Sequence, residues 1–392
     1  MLSLPNVLFV GGPDVDARLE LMHCLKDTFS ISALGSLPIL HNIFLDEGFR
    51  YNSYRLDRQV NPLSDLWTLG QLVFIFRRLE PQIVHTFDTK PGVWARLAAR
   101  LAGVPVIIGT LPGLGSLYAN DSLKTRFFRS VYQPLQTLSC RISDLTIFQN
   151  HDNARQFIAA GIVSEQKATV IFGSGISTDV FAQARVSDIE KAQLRAELDI
   201  QPHETVVTMV SRLIRSKGVL EFMAAAQEVG ARFSDVRFLL IGPEDDESVD
   251  RLNSEELTQL KQAVTWLGSR RDIPAVLAVS DIFAFPSYRE GIPRVLLEAA
   301  SMGLPIVTTD SPGCNEVVEH GVNGYLVPVR DSEALSQAII RMIELPELRQ
   351  RFGRVSRQRA VKRFDLSIVA DQMRAVYLQL LARKALLPTT ES

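Results

Sequence analysis

Two acids and two bases in the second half of the chain have the types and positions to handle an anionic, hydroxyl-rich ligand. Glu290 and Glu298 are separated by seven residues, about two helical turns, so on a helix they lie along nearly one line. Between them Gly291 permits close backbone approach, and the exposed N–H groups of a helix starting near Pro293 can receive a phosphate. The plainer reading is two solvated acids at a helix end, with Glu290 favoured by the positive end of the dipole. Arg212 and Lys217 follow a predicted strand. By type alone they are equally ordinary surface charges.

These residues need a frame that presents strand ends. Short aliphatic runs recur, each closing on a turn and giving way to a helical pattern, as in a parallel sheet with crossover helices. In the first half the runs are Val7 to Val10, Ile83 to Thr86, Val106 to Gly109, Leu145 to Phe148 and Thr169 to Phe172. In the second they are Thr205 to Val210, Arg237 to Ile241, Val264 to Leu267, Ile282 to Phe285, Pro305 to Thr308 and Gly324 to Val327. The polar stretch Asp179 to Pro202 carries no strand, and the division is placed near Arg185 to Ser187. The fold class is therefore α/β, with two tandem Rossmann-like doubly wound domains over residues 1–185 and 186–370 facing across a cleft. A last helical pattern, Leu366 to Leu386, can cross back onto the first domain, giving a separate terminal helix over residues 371–392.

Composition narrows the partners. The chain has 392 residues, 46% of them hydrophobic, and a net charge of −2, so it holds no global positive field for a nucleic acid. Cys24, Cys140 and Cys314 are too dispersed for a disulfide framework or a clustered zinc site, which favours a reducing, cytoplasmic setting. The opening apolar run leads into Gly11-Gly12 with no basic residue before it, which reads as a first strand rather than a secretion signal. No uninterrupted apolar stretch reaches the ~18 residues of a spanning helix, so any membrane contact is peripheral.

The string from Asp281 through Glu290, Glu298 and Gly303-Leu-Pro-Ile-Val to Gly324 resembles the signature of the glycosyltransferase group 1 family, the retaining class with the GT-B fold. The likeness extends upstream through Val210-Ser-Arg-Leu-Ile-Arg-Ser-Lys-Gly, Leu239-Leu-Ile-Gly-Pro and Val264-Thr-Trp-Leu-Gly-Ser-Arg. It implies that Arg212 and Lys217 neutralise a nucleotide-sugar diphosphate and that Glu298 binds the ribose. Glu290 would then hold the donor hexose, with the N–H groups of Gly291, Ile292 and Pro293 on the phosphate or sugar. Gly242, Gly268, Ser269 and Arg270 would border the sugar and the base.

In the first half, Gly11 and Gly12 resemble the family's glycine-rich turn beside acceptor and donor, although a tight strand-to-helix turn uses the same glycines. The segment Ile83-Val-His-Thr-Phe-Asp-Thr-Lys-Pro-Gly looks like that of members extending polyprenyl-linked or other lipid-linked sugars in bacterial surface glycans. Gly113-Leu-Gly115 and Gly173-Ser-Gly-Ile176 match the same subgroup. Lys90, Gly113 and Gly115 are then acceptor-side residues, and His85 and Asp88 are catalytic candidates. A strand-end His satisfied by backbone is an equal alternative for His85, because the His that many members carry after the strand at Val106 is absent here. The stretch Asp121 to Ile142 mixes Lys124, Arg126, Arg129 and Arg141 with aromatics. It is either an ordinary packed helix or a face for an anionic membrane.

The implied reaction is metal-free transfer with retention from a nucleotide-sugar, UDP-linked in the resembled subgroup, to a glycan or polyprenyl-linked acceptor, with no cofactor. A glycan phosphorylase, a nucleotide-sugar epimerase and a non-catalytic two-domain sugar-binding protein are the alternatives.

Overall fold

The computed structural model describes residues 4–57, 61–111, 123–246 and 248–386, with only the backbone for residues 123–131. The chain forms two compact units, one made of the residues up to Gly175 together with those from Leu366 on, the other of Ile176–Asp365.

The first unit is built on a seven-stranded sheet of order β3-β2-β1-β4-β5-β6-β7. Its strands are β1 (Asn6–Val10), β2 (Ser30–Gly35), β3 (Arg50–Ser53), β4 (Ile83–Thr86), β5 (Val106–Leu111), β6 (Leu145–Phe148) and β7 (Ala168–Val170), all pairing in parallel. The central strands β1, β4 and β5 are apolar runs because helices cover both faces of the sheet. On one face Leu72 and Phe76 of helix Pro62–Leu79 and Ala95, Ala98 and Ala99 of helix Lys90–Ala102 pack on Leu8, Val10 and Val84. On the other, Val7, Phe9 and Ile83 meet Val369, Met373, Tyr377 and Leu381 of helix Leu366–Arg383.

β2 and β3 are strands that the search for apolar runs passes over. β3 is an edge strand whose only buried residue is Tyr51, and β2 alternates polar and apolar side chains before its buried end. Half-covered strands lack the continuous signal of central ones.

The second unit has a six-stranded parallel sheet of order β10-β9-β8-β11-β12-β13. Its strands are β8 (Thr205–Val210), β9 (Val236–Ile241), β10 (Thr265–Trp266), β11 (Ile282–Phe285), β12 (Ile306–Thr309) and β13 (Gly324–Val327). This unit begins at Ile176, ahead of the stretch Arg185 to Ser187, because side chains stitch residues 178–181 into it. The Arg357 guanidinium donates to the carbonyls of Thr178, Phe181 and Ser301 at 2.7–2.9 Å, and Ser301 Oγ donates to Phe181 O. Thr178 Oγ1 donates to Asp365 Oδ2 at 2.6 Å, where the chain leaves the unit.

Arg357 thus donates to three carbonyls at once; without it Phe181 O keeps the Ser301 hydroxyl, but the loss of this donor to Thr178 O and Ser301 O carries a desolvation cost. Arg357→Ala is expected to destabilise the second unit by about 2–4 kcal/mol, read as a lower urea midpoint at unchanged slope. A midpoint within error of wild type would show that water replaces the guanidinium without loss.

Candidate functional site

In a doubly wound sheet the strand order reverses at one point, and loops leaving the carboxyl ends there diverge and leave a crevice. In the second unit that point lies between β8 and β11. The loop after β8 carries Arg212 and Lys217, and the loop after β11 carries Ser287 and Glu290.

The two loops are laced together. Tyr288 N donates to Ser216 O at 2.9 Å, and Lys217 Nζ meets Glu290 Oε1 at 2.5 Å, with side chains 22% and 13% exposed. Ser287 Oγ donates to the same oxygen at 2.6 Å. Behind Ser287, its carbonyl accepts from the hydroxyls of Thr309, the last residue of β12, and Ser311, two residues on. Glu290 N donates to Pro312 O at 3.0 Å. Gly313 sits at φ +85, where a Cβ would stand 2.3 Å from Gly291 O, so only glycine lets this segment support the Glu290 loop. The result is a carboxylate and an ammonium held beyond the carboxyl ends of β8 and β11 in a charge-assisted pair.

The other sequence-predicted donor residues are arranged differently. Arg212 does not join the pair: its guanidinium, about half exposed, meets Asp245 Oδ2 at 2.5 Å. Glu298 lies in helix Arg294–Ser301, which starts after Pro293 as anticipated, and is nearly buried with Arg294 Nε at 3.1 Å. Gly242 is fixed by packing, since at φ +144 a Cβ would stand 1.8 Å from Ser211 O. Its N–H donates to Gly268 O. Arg270 is committed within the protein, to both oxygens of Asp272 at 2.6–2.8 Å and to Glu197 at 2.8 Å. Those hydrogen bonds, Asp272 first, hold its proton even more firmly than usual. Ser269 lies exposed in the loop beside it, and Gly291 and Ile292 lie partly buried in the loop before Pro293.

In the first unit the order reverses between β1 and β4, and the loops that meet there carry Gly11-Gly12 and Asp88. Gly12 N–H donates to Asp88 Oδ2 at 3.1 Å, while Gly11 O accepts from the buried Tyr54 hydroxyl. Asp88 takes the left-handed conformation, φ +69, a strained state for a non-glycine residue. Burial, then the Asp14 charge, push its carboxyl up to about 6. Lys90 Nζ meets Asp65 at 2.8 Å and donates to Asp57 O at 2.6 Å.

His85 is a correction to the catalytic expectation. It is fully buried in β4, with Nδ1 at 2.5 Å from the Tyr377 hydroxyl and Nε2 at 2.7 Å from Thr110 Oγ1. Burial, with the Arg18 and Arg96 charges, pushes it down to about 3, so it is a neutral interior hydrogen-bonding group. Gly113 and Gly115 lie outside the described residues. Helix Leu123–Ile142 runs through Pro134, and the basic and aromatic positions before Tyr132 lie where only the backbone is described.

Sequence reasoning missed Ser287, Asp245 and Asp14. All three lie within a few residues of a strand's carboxyl end, a positional signal that could have flagged them. Tyr377 and Asp65 carried no local signal. Among the described residues no three His, Cys, Asp or Glu side chains converge as a metal site, and no helix is long and apolar enough to cross a membrane.

This geometry has known relatives. The sequence profile described as "Glycosyl transferases group 1" matches residues 190–359, and that of a "Glycosyl transferase 4-like domain" matches residues 45–172. An N,N'-diacetylbacillosaminyl-diphospho-undecaprenol alpha-1,3-N-acetylgalactosaminyltransferase of Campylobacter jejuni is 30% identical over 337 residues, 85% of this chain and 86% of the relative. A UDP-Gal:alpha-D-GlcNAc-diphosphoundecaprenol alpha-1,3-galactosyltransferase of Escherichia coli is 28% identical over 345 residues, 87% of each. In fold, the Anabaena protein HepE, solved in complex with UDP, superposes with a TM-score of 0.78 at 22% identity, covering 95% of this chain and all of that one.

The raised carboxyl of Asp88 generates a stability prediction. Its folded pKa, about 6, exceeds the ordinary 3.8, so its contribution is fully present below the unfolded value and is lost as pH rises through about 6. Asparagine tolerates the left-handed conformation and cannot ionise. Asp88→Asn is therefore expected to gain on the order of 2 kcal/mol over wild type at pH 8, and close to nothing at about pH 3. Chemical denaturation at the two pH values checks this, and a difference independent of pH would contradict it.

Proposed function

The chain belongs to the glycosyl transferases group 1 and is a glycosyltransferase of GT-B fold, and from that premise we propose that it transfers a hexose or N-acetylhexosamine, with retention and without a metal ion, from a UDP-sugar to a polyprenyl-diphosphate-linked acceptor. The setting is surface-glycan assembly, with the protein in the cytoplasm and working on the membrane face. The observation that carries this reading is the Lys217 and Glu290 pair braced by Ser287 at the reversal point of the second sheet. The names of the two relatives supply the acceptor class, and HepE bound to UDP supports the nucleotide.

In this reading Lys217 answers the negative charge that grows on the departing diphosphate, the main difference between ground and transition states. Glu290, its oxygen already fixed by Ser287 and Lys217, accepts hydroxyls of the donor sugar. The acceptor hydroxyl attacks the anomeric carbon on the face from which UDP leaves. The new C–O bond forms as the bond to the phosphate oxygen breaks, and the hydroxyl proton passes to that phosphate. Arg212, tied to Asp245 by a pair that is half exposed on its own side, is cheap to redirect to the diphosphate. A fixed ammonium does the charge work that a divalent cation would otherwise supply.

The test is transfer of radiolabelled sugar from UDP-sugars to a GlcNAc-diphosphopolyprenol acceptor. The product is expected to keep the donor's α configuration, and EDTA is expected to leave the rate unchanged. Lys217→Ala should lower kcat/KM about 30- to 1,000-fold. Loss of activity in EDTA with recovery by Mg²⁺ would remove the metal-free reading, and a wild-type rate in Lys217→Ala would remove the site.

A further inference from the structure

Helix Pro62–Leu79 is apolar on both sides. Its inward face is fixed: Leu72 and Phe76 are buried in the core, and Thr68 Oγ1 donates to Arg55 O at 3.0 Å. Its outward face carries Leu63, Leu66, Trp67 and Phe74, which are 82%, 64%, 58% and 67% exposed. With Gly70 these positions follow the three- and four-residue spacing of a single helical stripe. Large apolar side chains scattered singly on a surface need no explanation, but an aligned stripe of leucines and aromatics does.

The stripe ends in cations. Arg77 and Arg78 are exposed at the helix's last turn, and the Arg77 guanidinium reaches Leu101 O at 3.4 Å. That contact brings in the neighbouring helix Lys90–Ala102, where Leu101 is 58% exposed and Arg100 is also exposed. Three arginines thus border the apolar stripe in a chain whose net charge is −2, with Glu80 as the acid next to them in sequence.

We propose that this face docks on an anionic phospholipid surface, with Leu63, Leu66, Trp67 and Phe74 entering the interfacial layer and Arg77, Arg78 and Arg100 lying among the headgroups. The inference rests on the membrane-borne acceptor of the reading above and names the part of the protein that meets the membrane. Charge selects this occupant over a second copy of the chain. An isologous contact would put the same three arginines of both copies at one interface with little to answer them, whereas a negative leaflet complements them directly. Aromatic and aliphatic groups flanked by cations are the composition that holds a helix in the plane of a bilayer interface.

The experiment is flotation of the full chain with phosphatidylcholine vesicles, with and without roughly a third phosphatidylglycerol, comparing wild type, Trp67→Ser/Phe74→Ser and Arg77→Gln/Arg78→Gln. Wild type is expected to float with the anionic vesicles. The serine pair should bind at least about tenfold more weakly, and the glutamine pair about 5- to 25-fold more weakly to anionic vesicles only. Because all four positions are exposed, both variants should keep the wild-type thermal midpoint and the wild-type rate on an acceptor with a short, water-soluble lipid. Failure of wild type to float, or equal flotation of the serine pair, overturns the proposal. So does a wild-type dimer in velocity sedimentation that the serine pair abolishes without any vesicle binding. Patch-dependent flotation in a protein that transfers no sugar would leave the docking face standing and remove the functional reading instead.

Discussion

The second unit is organised around one partly buried ion pair. Placing an ammonium and a carboxylate where water is largely excluded costs desolvation free energy, which their mutual attraction offsets only when the geometry is good and the remaining hydrogen-bonding capacity is used. Lys217 and Glu290 meet that condition at 2.5 Å because Ser287 donates to the shared oxygen and Thr309 and Ser311 hold Ser287 from behind. The bracing in turn depends on strand order. Only a sheet that reverses between β8 and β11 brings the loop of residue 217 against the loop of residue 290, and only glycine at position 313 lets the next loop close behind them. A pair built this way is preorganised, so a ligand that exploits its charges meets side chains that have already lost their conformational freedom.

The first unit repeats the topology with different chemistry. At its reversal point stand a backbone N–H and a raised carboxyl, Gly12 and Asp88. Helix Leu366–Arg383, although last in sequence, completes this unit's core, and its Tyr377 hydroxyl reaches into the strand layer to hold His85. A hydroxyl and an imidazole that satisfy each other in the interior fix the helix's rotation, since slippage would leave both unpaired. His85 is thereby a part of the scaffold beneath the Gly12 and Asp88 turn.

Much of this was readable before any coordinates. Runs such as Val7 to Val10 and Thr205 to Val210 declare central strands because both of their faces are buried, and the spacing of Glu290 and Glu298 around Gly291 declares a strand-to-helix turn. What stayed hidden is long-range. β3 hid because an edge strand buries one face. The distant partners of Arg212 and Arg270, namely Asp245 and Glu197, depend on how separate segments meet, which no local spacing pairs with them. His85 misled because a strand-end position is shared by ligands and by core residues, and the group that decides between them, Tyr377, lies 292 positions away.

The account depends on the Lys217 ammonium being the charge that a nucleoside diphosphate meets. Isothermal titration of UDP into wild type and into Lys217→Ala measures this without any acceptor or any chemistry. The account predicts UDP binding that weakens roughly 10- to 100-fold in the variant, the range of one or two charge-assisted hydrogen bonds. Equal UDP affinity in the two proteins would contradict it.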